Sequence, residues 1–207
     1  MVYMNQKVGM AGSAIAGLSV LCFAACMLIK FDFGSYLVCM FLAIGYVMMA
    51  AGFQAECVPE NKAAGSLGLV FAGVYAALVL LVYYAQTTAV RLDPLSDTAM
   101  RLLDYKRFGL FFSYDLLGYG MMALSTFFIG STIAASNRRN KALKWLMMIH
   151  GIFFISCFIM PMLGVFSPDA DSPEWIGILT LEVWCAYFLP VTVLAYLHFR
   201  HYFCTQR

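Results

Sequence analysis

The sequence predicts an all-α polytopic membrane protein, a bundle of six transmembrane helices with both termini cytoplasmic. Three observations predict it. Hydrophobic residues make up 63% of the 207 and charged residues 12%, against about 45–50% and 25% in an ordinary soluble domain. The charges are clumped, and the stretches between clumps run to about twenty residues, the length that crosses a hydrocarbon layer of about 30 Å. Lipid offers no partner to bare backbone groups, so each stretch must be a helix, and the alternating strands of about ten residues that build a barrel are not visible.

The first span covers about 8–29. Lys7 followed by an apolar run to CFAAC has the outline of a lipoprotein signal ending at Cys26. However, the run continues through MLI and Phe23 stands where a signal carries an aliphatic residue, so an uncleaved helix is the better reading. Gly9, Ser13 and Gly17 recur every fourth residue there, as do Gly68, Ala72 and Ala76 in the third span. In lipid such rows let backbones approach closely. The second span, about 35–56, ends on Gln54 and Glu56, and the third, about 66–90, ends in YYAQTT.

The one long connection is RLDPLSDTAMRLLDYKR, residues 91–107. Asp93 before Pro94 is a helix start signal, and Leu95, Ala99, Leu102 and Leu103 share one face, so a short amphipathic outer segment is expected between helices 3 and 4. The fourth span covers about 108–135, the fifth about 145–166 and the sixth about 175–199, all within one transmembrane domain, 1–207. Trp145 and Trp175 fit an aromatic belt, and Pro161 and Pro190 should bend or open their helices.

Orientation follows from the basic residues. Lys7, Lys62, Arg138, Arg139, Lys141, Lys144, Arg200 and Arg207 fall with the termini; Lys30, Arg91, Arg101, Lys106 and Arg107 fall on the other side, where the loop SPDADSPE has acids and no base. Positive residues favour the cytoplasm, which places both ends there and the chain in a plasma membrane of bacterial type. A net charge of +2, split between two surfaces, excludes nucleic acid as a partner. Seven cysteines, an odd number and mostly inside spans, form no disulfide framework. The paired methionines point to different sides of their helices and do not make a copper site. No HExxH, GxSxG, phosphate loop or zinc-like spacing occurs, so no metal and no cofactor is expected.

Two acids lie deep in spans, Asp115 in the fourth and Glu182 in the sixth, each about 10 Å below the outer surface at about 1.5 Å per residue. An acid at the centre of a spanning helix costs about 2.5–3.5 kcal/mol on insertion scales, so both should face the bundle interior. Tyr119 shares a face with Asp115, Trp184 lies beside Glu182, and Tyr83 and Gln86 reach similar depth from the third span. Aromatic walls with a few convergent polar groups describe a small-molecule pocket. Glu56 and His150, nearer the cytoplasm, are candidates for a proton path should they meet.

These residues point to an integral membrane protein that binds or carries a small amphiphilic ligand, cationic or proton-coupled, through an outer-half site. Two alternatives are an accessory or substrate-binding subunit of a larger membrane complex, and an intramembrane acid/base enzyme acting on a lipid-like substrate. The expected partners are the lipid bilayer, the ligand, and a protein partner or a second copy of the chain.

Overall fold

The computed structural model describes residues 2–166 and 174–205, with side chains at 4–166 and 175–200. The acidic loop SPDADSPE and Arg207 therefore lie outside the described side chains. The described chain is helical throughout: α1 (Val2–Leu28), α2 (Asp32–Ala55), α3 (Lys62–Thr87), α4 (Ala89–Leu92), α5 (Asp97–Leu103), α6 (Leu110–Thr132), α7 (Arg138–His150), α8 (Phe153–Met162) and α9 (Glu174–Thr205). Five stretches are long and apolar enough to cross a membrane: Met4–Leu28, Asp32–Ala55, Pro59–Leu92, Arg138–Met162 and Trp175–Arg200. That is one fewer than the six expected. The exception is α6, whose 23 residues span about 35 Å at 1.5 Å per residue but include Asp115, three glycines and several hydroxyl side chains. It buries that polarity against α3, α7 and α8.

Close backbone approach sets the core. A Cβ on Gly12 of α1 would come within 2.4 Å of the Met49 backbone nitrogen of α2, and one on Gly68 of α3 within 2.5 Å of Ile129 of α6. The small-residue rows noted in the sequence lie at such seams: Gly9 meets the Phe199 ring and Gly17 meets Thr192, both on α9. Ser125 of α6 donates to the Gly68 carbonyl at 2.6 Å, closing the α3–α6 seam with a hydrogen bond. Between these seams pack Tyr46, Tyr75, Met49, Met122 and Phe188, all fully buried.

The fifth expected span differs in two ways. Its helix begins at Arg138, seven residues before the expected 145, because Asn137 caps it by accepting from Asn140 N at 2.9 Å. The basic residues that follow belong to the helix rather than to a loop; long cationic side chains carry their charge to water from within a helix. The helix is then interrupted at Gly151–Ile152, a break that Pro161 did not signal. Pro161 instead occupies the last turn of α8, and Pro190 lies within the unbroken α9.

The outer connection is helical, as its pattern predicts, but starts later. Ser96 and not Asp93 is the cap, accepting from Ala99 N at 3.3 Å. Gln86 clamps the segment: its Nε2 donates to the Leu103 carbonyl at 2.7 Å, and its Oε1 accepts from Tyr105 N at 3.1 Å. Asp97 receives Arg107 at 2.6 Å and Arg101 at 3.0 Å, and these bonds, that of Arg107 foremost, hold its carboxyl below the usual range. The order they lend the loop is therefore present above the ordinary carboxylate pKa and lost as pH falls through the depressed one. Gln86→Leu removes both clamp bonds and leaves two backbone groups without their partner, a loss of about 1–3 kcal/mol. Faster amide hydrogen exchange across residues 93–108, with α1 and α2 unchanged, is the expected result.

Candidate functional site

Asp115 lies on α6, little more than a turn inside its start, and is 2% exposed. The phenols of Tyr83 from α3 and Tyr105 from the outer connection lie near its carboxyl group. Its Oδ1 has no hydrogen-bond partner. Tyr36 of α2 completes a ring triangle, 5.5 Å from Tyr83 and 6.0 Å from Tyr105, with Tyr83 and Tyr105 themselves 6.0 Å apart. Three separate elements thus bring tyrosine rings together near one acid. Tyr105 was not among the residues the sequence singled out, because the register of a connecting segment over a helix end leaves no periodic trace.

The other expected members of this site divide. Tyr119 donates to the Cys39 thiol at 3.7 Å and its ring contacts Tyr75 and Trp184, each at 5.5 Å. Tyr75 is fully buried and its hydroxyl has no partner. Glu182 is half-buried on α9 and keeps one unpartnered oxygen, Oε1. No hydrogen bond joins Glu182 to Asp115 among the described residues. Both polar atoms of Gln86 are committed to the clamp.

Trp184 is likewise engaged, because its indole N–H donates to His150 Nε2 at 3.1 Å. The acceptor role of Nε2 places the ring proton on Nδ1, which donates to Thr126 Oγ1 at 2.8 Å, and Thr126 passes its own hydrogen to the Ala123 carbonyl at 2.8 Å. Every donor in this chain has an acceptor. His150 lies at the end of α7, stacked 5.9 Å from Tyr187, which is deeper than a helix starting at 145 would have put it.

The histidine that Glu56 does meet is His198, at the opposite end of the bundle from Asp115. Glu56 Oε2 lies 2.8 Å from His198 Nε2, and His198 Nδ1 lies 3.0 Å from Asn140 Oδ1. Asn140 Nδ2 donates to Ser136 Oγ at 3.2 Å, and in this orientation of the amide Oδ1 accepts from His198. Glu56 and His150, paired as a proton path in the sequence, are thus held by different partners. His198 and Asn140 leave little signal in the sequence, since each is one polar residue in a span or a basic run. Their meeting needs the ends of α2, α7 and α9 to converge.

Comparison of the chain with known families, with curated proteins and with solved structures finds no match.

Proposed function

We propose that the chain is an integral membrane protein of six crossings, with α6 as the fourth, with both termini cytoplasmic in a bacterial plasma membrane, that binds or carries a small amphiphilic cation in exchange with protons. The observation that carries this reading is the unpartnered Oδ1 of the nearly inaccessible Asp115, inside a bundle whose outer faces suit lipid. A buried carboxyl oxygen without a donor is costly unless something supplies one, and a ligand ammonium or a proton would do so. Tyr75 and Glu182 each also carry an unpartnered oxygen. Tyr83 and Tyr119 form aromatic walls, which attract a cation through their ring faces. Gln86 and Trp184 support those walls without contacting the ligand.

The test is ethidium binding to the detergent-solubilised protein, read by fluorescence anisotropy. Asp115→Asn keeps the shape of the side chain and removes its charge. The expected result is at least about a tenfold loss of affinity, as befits a charge-assisted bond of about 1.5–3 kcal/mol, with the melting temperature retained. Equal affinity with the same pH profile would leave this acid a structural group.

A further inference from the structure

Two helices, α2 and α6, end at one hollow. A cavity of about 560 Å³ opens where they finish, at the end of the bundle that carries both termini, and is lined among others by Gln6 of α1, Glu56, Ser131, Thr132, Lys144 and His198. The volume lies within the range of small-molecule sites, about 300–1,000 Å³. Gln6 is 3% exposed and its Oε1 has no hydrogen-bond partner; nor has Glu56 Oε1. Both orphaned atoms are acceptors, and their residues line the same cavity. Among the described residues, no group of three ionisable or thiol side chains is placed to hold a metal ion.

The resting charge of the Glu56–His198 pair follows from its hydrogen bonds. His198 Nδ1 must carry a hydrogen, because the Asn140 oxygen it faces can only accept. The 2.8 Å contact between His198 Nε2 and Glu56 Oε2 needs a second hydrogen between them, whether it rests on the ring or on the carboxyl. In either form the pair is neutral and holds one exchangeable proton. Of the ionisable groups facing it in the cavity, Lys144 comes from α7 and Cys57 is the next residue along the chain, while α1 contributes the neutral Asn5 and Gln6 and α6 only hydroxyls. Lys144 reaches the Ser131 carbonyl at 3.5 Å. Lys7 and Lys62 stand at the same end but outside the lining.

We propose that this cavity is a second site, separate from Asp115, that binds a primary ammonium in exchange for the proton shared by Glu56 and His198. The three N–H groups of the ammonium match three acceptors: the Glu56 carboxylate, Gln6 Oε1 and His198 Nε2. The incoming cation supplies the hydrogen that the pair gives up, the released proton passes to water in the cavity, and the net charge of the site rises by none beyond that of the cation less that of the proton. Phe53 and Ile133 in the lining suit an apolar body behind the ammonium.

The test is calorimetry on the full chain in detergent with phenethylammonium as the probe and phenethyl alcohol as its neutral counterpart, repeated in two buffers of different ionisation enthalpy. The expected result is saturable ammonium binding with release of about one proton, and affinity that rises with pH, by about tenfold per unit while the pair still holds its proton. Glu56→Gln should weaken binding by about 10- to 100-fold. His198→Gln should bind more weakly and release no proton. Should Glu56→Gln fail to fold, Gln6→Leu carries the test, with an expected loss of about tenfold. No binding by the unaltered protein, equal binding of the alcohol, binding without proton release, or full affinity in the folded variants would each overturn the proposal. Its failure is read with phenethylammonium at Glu56, and that of the outer site with ethidium at Asp115.

Discussion

Gly12→Ala is expected to lower the melting temperature of the solubilised protein by several degrees and to loosen the first helix pair. The added methyl carbon would stand 2.4 Å from Met49 N, 2.6 Å from the Gly45 carbonyl oxygen and 2.6 Å from Met48 Cβ. Two of those neighbours are backbone and cannot rotate aside, so α1 and α2 must separate along their length. Overpacking of this kind costs about 1–3 kcal/mol, and here it also weakens the contacts of α1 with α9. Gly73→Ala is the matched comparison, since nothing lies within 4 Å of its added carbon. Replacing a mid-helix glycine at an open position should gain about 0.5–1 kcal/mol. Thermal unfolding of the two variants should therefore move in opposite directions, and equal shifts would show that the α1–α2 approach is looser than these distances imply.

His150→Leu is the second large effect. The substitution takes the acceptor from the Trp184 indole N–H and the donor from Thr126 Oγ1, at a position 1% exposed. One buried N–H without a partner costs about 1–3 kcal/mol, and the lost ring contacts with Phe153, Tyr187 and Phe188 bring the expected loss to about 2–4 kcal/mol. Tryptophan fluorescence would report the change, because Trp184 loses its hydrogen bond while Trp145 and Trp175, both more than half exposed, stay as they are. The neutral ring with its hydrogen on Nδ1 already satisfies each group in the chain, so this histidine acts as a fastener between α6, α7 and α9. A variant as stable as the parent would contradict that role.

The class of fold was legible because it depends on bulk properties, apolar length and the clumping of charge, that a single sequence displays directly. The end of the second helix was legible where a charge closes the apolar run, at Glu56, whereas its start at Asp32 lies three residues before the expected 35. Helix limits were misread at Arg138, where basic residues continue a helix already begun. The break at Gly151 left no pattern, since the residues on both sides of it are equally apolar. The burial of Asp115 followed from the cost of placing an acid in lipid, but the identity of its partners did not. Composition says that an acid must face inward; only the rotation of each helix about its axis says toward whom. The same applies to Glu56 and His198, which are 142 residues apart and meet because two helix ends converge. Polarity alone also overstated Gln86, whose amide serves the chain's own backbone.

The composition of α6 bears on how the chain enters the bilayer during synthesis. By itself this segment is a poor candidate for release into lipid, since Asp115 and its glycines and hydroxyls dilute what an apolar helix offers. Yet α1, α2 and α3 have all left the ribosome before it, and α3 presents the Gly68 seam and Tyr83, against which the polar flank of α6 is later buried. In the six-crossing reading proposed above, membrane integration of α6 is a property of the half-built assembly, and the order of translation does for this segment what hydropathy does for the other five.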